Sequence, residues 1–111
     1  MCRIERRFGI SGAQLDAIRR WAECNLYVGE VRVFGSRVKW RARIDSDLDI
    51  AITASDGNYT RFDSDWKKEL SDITGLKVGL SQYNNPLNDA VRRHCDDPST
   101  ILIFQRTSRA R

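Results

Sequence analysis

Val33-Phe34-Gly35-Ser36-Arg37 and, past a basic connection, Ile44-Asp45-Ser46-Asp47-Leu48-Asp49-Ile50 decide how the rest of the chain is read. The first piece is an alternating run rich in strand formers that ends directly in Gly-Ser. Glycine there lets the backbone turn sharply and leaves amides bare beside a hydroxyl, an arrangement suited to an approaching phosphate. The second piece alternates as well. Side chains along a strand point to opposite faces in turn, so Asp47 and Asp49 share one face while Leu48 and Ile50 share the other. Two carboxylates on one face repel each other, and a hard cation such as magnesium placed between them removes that cost and gathers phosphate oxygens.

Working outward, residues 11–23 place Leu15, Ile18, Trp21 and Ala22 on one helical stripe, with Ser11 available as N-cap. Strands are expected over 31–34 and 48–53, joined by a connection in which Arg37, Lys39, Arg41 and Arg43 cluster. Residues 54–59 read as a short turn. A second amphipathic helix over 63–74 carries Trp66, Leu70 and Ile73 on one face, begins with acidic residues and stops at Gly75. A strand over 76–81, a short helix over 86–94 opening with Pro86, and an extended piece over 101–104 complete the order. The fold class is α+β, a small mixed sheet packed by helices, in one domain spanning 1–111.

Composition narrows the class. The chain has 111 residues, 41% hydrophobic and 31% charged, which fits one folded domain and is far from the composition of disorder. No apolar run approaches the roughly 18 residues that mark a membrane span, and 1–7 lack the apolar core of a secretion signal, so a cytoplasmic protein without a membrane partner is expected. Cys2, Cys24 and Cys95 are scattered, with no metal or redox spacing, and read as reduced thiols. The net charge of +4 favours phosphates, nucleic acid or an acidic partner. The basic tail from Arg106 to Arg111 reads as a solvated end.

The two pieces together resemble the signature of the minimal nucleotidyltransferases of the polymerase-beta superfamily. That signature is a strand ending Gly-Ser, a short basic helix, then Asp-x-Asp on the next strand. Here the match is Gly35, Ser36 and Arg37, then Ser46, Asp47, Leu48 and Asp49, and the flanking elements extend it over most of the chain. The resemblance implies that Gly35 and Ser36 hold the terminal phosphates of a nucleoside triphosphate such as ATP, with Arg37 as a further phosphate contact. It implies that Asp47 and Asp49 are catalytic and bind Mg2+. It further implies an antitoxin-like role beside an all-helical HEPN-type toxin, a ribonuclease neutralised by modification or by binding.

One position departs from the pattern. Active members carry a third carboxylate on the next strand, where it activates the acceptor hydroxyl. With Val78 and Leu80 facing the core, Lys77, Gly79 and Ser81 face the site, and Gly79 stands at that place. Either Glu30, Asp56, Asp63 or Asp65 reaches in, or the protein binds nucleotide or its partner without transfer. Three functions are therefore carried forward: a nucleotidyltransferase, a degenerate module that docks to a partner, and nucleic-acid binding through the basic surface. Trp21 and Trp66 are expected in the core, while Trp40 is open to a site or partner role. His94, with no partner nearby in sequence, reads as a surface residue. Tyr83 and Asn84 either border the nucleotide or form a turn.

Overall fold

The computed structural model of the protein describes residues 9–43, 45–55, 57–85 and 89–106. Seven elements follow in the expected order: α1 (Gly12–Glu23), β1 (Val28–Phe34), β2 (Leu48–Ala54), α2 (Asn58–Thr74), β3 (Val78–Gln82), α3 (Ala90–Cys95) and β4 (Ile101–Gln105). The strands form one sheet in the order β3-β2-β1-β4. β1 is antiparallel to β2 and to β4, whereas β2 and β3 are parallel. A parallel pair requires a long crossover, and α2 supplies it. The result is the mixed α+β architecture that the sequence implies. Among the described residues no helix is long and apolar enough to cross a membrane.

α1 begins in a capping box. The Gln14 amide donates to Ser11 Oγ at 3.1 Å and the Ser11 amide donates to Gln14 Oε1 at 2.9 Å. Such a cap contributes about 1 kcal/mol. Ile18 and Ala22 are fully buried against the sheet. The Gln14 side chain also donates to the Thr74 carbonyl at 3.0 Å, tying the start of α1 to the end of α2.

α2 is longer than its periodicity announced. It begins at Asn58 rather than 63, so Asn58 and Tyr59 of the expected turn over 54–59 are helical, and the acidic residues lie beyond its first turn. Tyr59 and Phe62 extend the stripe of Trp66 and Leu70, and all pack on the core. Burial, with the charge of Asp63 adding to it, pushes the Tyr59 hydroxyl up to about 12. Phe62 stacks on Trp66 at 5.7 Å, and Trp21 meets Trp66 edge-on at 6.0 Å. Trp66 is core as expected; Trp21 lies at its margin and donates to Glu69 at 2.8 Å. At the end of the helix Thr74 is buried and Ile73 is 42% exposed, reversing the expectation. The Thr74 hydroxyl donates to the Leu70 carbonyl at 2.7 Å and accepts from the Leu76 amide, so hydrogen bonding holds it inward. Gly75 closes the helix at φ 72.

Three other boundaries move. β1 starts at Val28, and an irregularity in its pairing between Val28 and Glu30 hides the first residues from an alternation rule. β3 starts at Val78 rather than 76. α3 spans Ala90–Cys95, while Pro86, like Asp56, Cys2 and the end of the basic tail, lies outside the described residues.

Candidate active site

The site lies on the sheet face opposite α1 and α2. Leu48, Ile50 and Ile52 are fully buried in the core, so the alternate residues Asp47 and Asp49 face the other way and are partly exposed. Asp49 pairs across β1 with Phe34 and across β3 with Gly79. Gly35, one residue past Phe34, has φ +87, and a Cβ on it would collide with Asp49 Oδ2. A Cβ on Gly79 would lie 3.0 Å from Asp49 Oδ1 and 3.7 Å from Asp47 Oδ2. The two carboxylates thus converge over the α-carbon of Gly79, and both glycines leave them room.

Burial raises the Asp49 carboxyl above the usual carboxylate range, the charge of Asp47 raises it further, and His94 opposes both. Lys77 Nζ lies 3.8 Å from Asp47 Oδ1. Among the described residues no group of three or more His, Cys, Asp or Glu could hold a metal ion. Two carboxylates nevertheless fit a magnesium ion carried by a nucleotide, since that ion keeps waters and takes phosphate oxygens to complete its octahedron. The strain between the two carboxylates is the observation that favours such a cation.

The other expected site residues divide. Gly35 and Ser36 form the turn directly after β1, with the Ser36 carbonyl accepting from the Arg41 amide at 3.0 Å. Arg37 is 4% exposed. Its guanidinium donates to the carbonyls of Gly9 at 3.1 Å, Ser46 at 3.0 Å and Arg43 at 3.5 Å. It clamps the loop that delivers Asp47. The connection is accordingly a series of turns, not the short basic helix of the pattern. Trp40, at φ +54, cannot continue a right-handed helix, and its indole lies over Gly9 while remaining 57% exposed.

None of the described substitutes for a third carboxylate reaches the pair. Glu30 pairs with Thr53 near the far end of β2. Burial works to raise its carboxyl, but Arg32, Thr53 and Gln105 bind it and hold it below the usual range. Asp63 lies on α2 in a hollow with Tyr59, Lys67 and Leu80, on the core side of the sheet, and Asp65 is exposed on the same helix.

His94, read from the sequence as a surface residue, is exposed and lies beside the candidate site. α3 lies on the site face, with the Arg32 guanidinium 3.9 Å from the Tyr83 ring centroid and Arg92 on the same ring at 5.6 Å. Tyr83 therefore anchors α3, and Asn84 closes the sheet end by donating to the Ala54 carbonyl at 2.8 Å. His94 is exposed and stacks on Phe34 at 6.3 Å. With Phe34, Gly35, Lys39 and Arg93 it lines a cleft of about 380 Å³ beside the carboxylates. Being the single histidine of the chain is the one signal the sequence held.

The fold is shared with solved structures. One is a toxin–antitoxin crystal structure with AMP-PNP: TM-score 0.67, 18% identity, covering 83% of this chain and 73% of that one. A second is the MntA–HpeT toxin–antitoxin pair carrying two aspartate-to-glutamate substitutions, at TM-score 0.67, 16% identity and the same coverages. A third is a complex of a tri-AMPylated HEPN toxin of Shewanella oneidensis with an MNT antitoxin. It matches at TM-score 0.60 and 16% identity over 84% of this chain and 71% of that chain. At these identities the likeness is one of fold. No curated protein sequence gives a significant match. The family profile described as polymerase beta, nucleotidyltransferase matches residues 17–108, and with the sheet order and the placement of Asp47 and Asp49 it shows that the chain belongs to the polymerase-beta nucleotidyltransferase family.

Proposed function

We propose that the protein is a cytoplasmic, magnesium-dependent nucleotidyltransferase that moves AMP from ATP to a hydroxyl of a HEPN-type toxin and thereby acts as its antitoxin. The observation that carries this reading is the Asp49 carboxylate, seated between Gly35 and Gly79 with Asp47 beside it. Further support comes from the neighbours: one was crystallised with AMP-PNP, and another holds a tri-AMPylated HEPN toxin.

In the proposed reaction an acceptor hydroxyl gives up its proton to solvent as its oxygen bonds to the α-phosphorus, while the bond to the bridging oxygen breaks and pyrophosphate leaves. Gly35 and Ser36 present a turn without an obstructing side chain to the phosphates, and Asp47 and Asp49 hold the ion that accompanies them. A bound magnesium ion would offset phosphate charge and fix the phosphate oxygens in place. Arg37 keeps the carboxylate-bearing loop in position from behind. Calorimetric titration with magnesium and a non-hydrolysable ATP analogue, with Asp47→Ala as control, tests the nucleotide site. Labelled ATP incubated with the toxin tests transfer. Binding that ignores Asp47 sinks the reading.

Gly79 favours a second reading. The register sets it directly beside Asp49, in the position from which a third carboxylate would act, and it can neither bind metal nor accept a proton. Under this reading the protein neutralises its partner by docking. Neutralisation that survives Asp47→Ala and Asp49→Ala would support it.

A further inference from the structure

The start of β3 presents to the site a lysine, directly before the strand, and then a glycine: Lys77 and Gly79 lie two residues apart in extended chain. The Lys77 carbonyl accepts from the Leu48 amide at 2.7 Å, which fixes this backbone against the start of β2. From that anchor its ammonium reaches to 3.8 Å from Asp47 Oδ1, the oxygen other than the one nearest Gly79. The Asp47 flank of the carboxylate pair thus holds a permanent positive charge, while Gly79, beneath the pair, offers no ligand.

We infer that the site takes one divalent cation with the nucleotide rather than two, and that the ammonium of Lys77 provides the remaining positive charge on the Asp47 flank. The inference rests on the nucleotide-binding reading above. Two considerations carry it. A second ion needs ligands, and the described residues offer the pair no third carboxylate. A second ion also brings two charges beside Lys77, while one ion alone already balances both aspartates. Gly79 is therefore more than a lost residue: its absent side chain and the lysine two positions before it are one substitution of charge for coordination. Lys77 acts here as a positioning and charge-balancing residue, through Asp47.

The test counts ions directly. Mn2+ is titrated into the purified protein and followed by electron paramagnetic resonance, with and without a non-hydrolysable ATP analogue. One tightly bound Mn2+ per chain is expected in the presence of nucleotide. Lys77→Ala should still bind one, but bind Mn2+ alone roughly two- to fivefold more tightly, the scale of an exposed charge pair. The double change Lys77→Ala with Gly79→Asp should bind two. Two ions in the parent protein would overturn the inference and leave the nucleotide site standing, as would unchanged Mn2+ affinity in Lys77→Ala. Failure of the parent to bind Mn2+ even with nucleotide would take down both.

Discussion

The carboxylate of Asp49 occupies the space that a side chain at position 35 would need. Gly35 follows Phe34, the cross-strand partner of Asp49, and its φ of +87 turns the chain away from the sheet at the level of that carboxylate. The same carboxylate has Gly79 on its other side, where a Cβ would lie 3.0 Å from Asp49 Oδ1. Backbone on two neighbouring strands thus frames the acid, and the two glycines that do so differ. One sits where only glycine is comfortable, whereas the other has ordinary backbone and a gap that a small adjustment of Asp49 would widen.

Gly35→Ala should therefore be costly twice over. The positive φ strains any L side chain by about 1–3 kcal/mol, and the methyl displaces Asp49 Oδ2. Urea unfolding should show a loss in that range, and calorimetry on the folded fraction should show magnesium-dependent nucleotide binding abolished. Normal binding by a folded Gly35→Ala protein would mean that Asp49 need not occupy its observed position.

Asp49→Asn should stabilise the metal-free protein at neutral pH while destroying nucleotide binding. Burial and Asp47 raise the folded-state pKa of Asp49, so its protonated form is the one folding favours. The stability tied to this group is present below its unfolded pKa and is lost as pH rises through the raised folded value. Asparagine removes that loss, a gain kept modest by the group's partial exposure, as is usual when a functional strain is released. Thermal melts should show the gap between variant and parent narrow as pH falls from neutral toward about 4. A gap that widens on acidification would reverse the sign assigned to Asp49.

Arg37→Lys separates a clamp from a phosphate contact. A lysine keeps the charge but lacks the fork that serves Gly9, Arg43 and Ser46 together. Urea unfolding should show roughly 1.5–3 kcal/mol lost, nearly as much as for Arg37→Met, because carbonyls are left short of donors. Full stability in Arg37→Lys, with Arg37→Met impaired only in binding nucleotide, would return the residue to the phosphates.

What could be read from the sequence was what local period controls. Alternation placed Asp47 and Asp49 on one face, the family resemblance set Gly79 at the place of a third carboxylate, and the register pairs Asp49 with Gly79. Helical spacing found Ile18, Ala22, Trp66 and Leu70. What the sequence did not disclose has a common cause, since each case was decided by a partner distant in the chain. Arg37 looked like a phosphate ligand because it follows Gly-Ser, and Gly9 is part of what pulls it inward. Thr74 was passed over for Ile73 because apolarity was counted and the hydrogen bonds to Leu70 and Leu76 were not. His94 reaches the site because Tyr83, held by Arg32 of β1, seats α3 on that face, a relation that no local pattern encodes.

Gly79→Asp decides between transfer and docking. Its Cβ would sit 3.0 Å from Asp49 Oδ1, close enough that the carboxylate must give way by a few tenths of an ångström, and the end of a side chain can do so. Without metal the third acid meets Asp47 and Asp49 and should lower thermal stability, because like charges crowd a partly buried space. Gly79→Ala isolates the crowding from the charge and should cost less. With magnesium, labelled ATP and the toxin, Gly79→Asp should transfer label about a hundredfold faster than the parent, the lower end of the range of about 10²–10⁴-fold that a positioned base contributes. Gly79→Ala should show no such gain. If Gly79→Asp folds, binds nucleotide and transfers no faster, the missing carboxylate does not limit the reaction, and a parent that also fails to label the toxin is left with docking as its means of neutralisation.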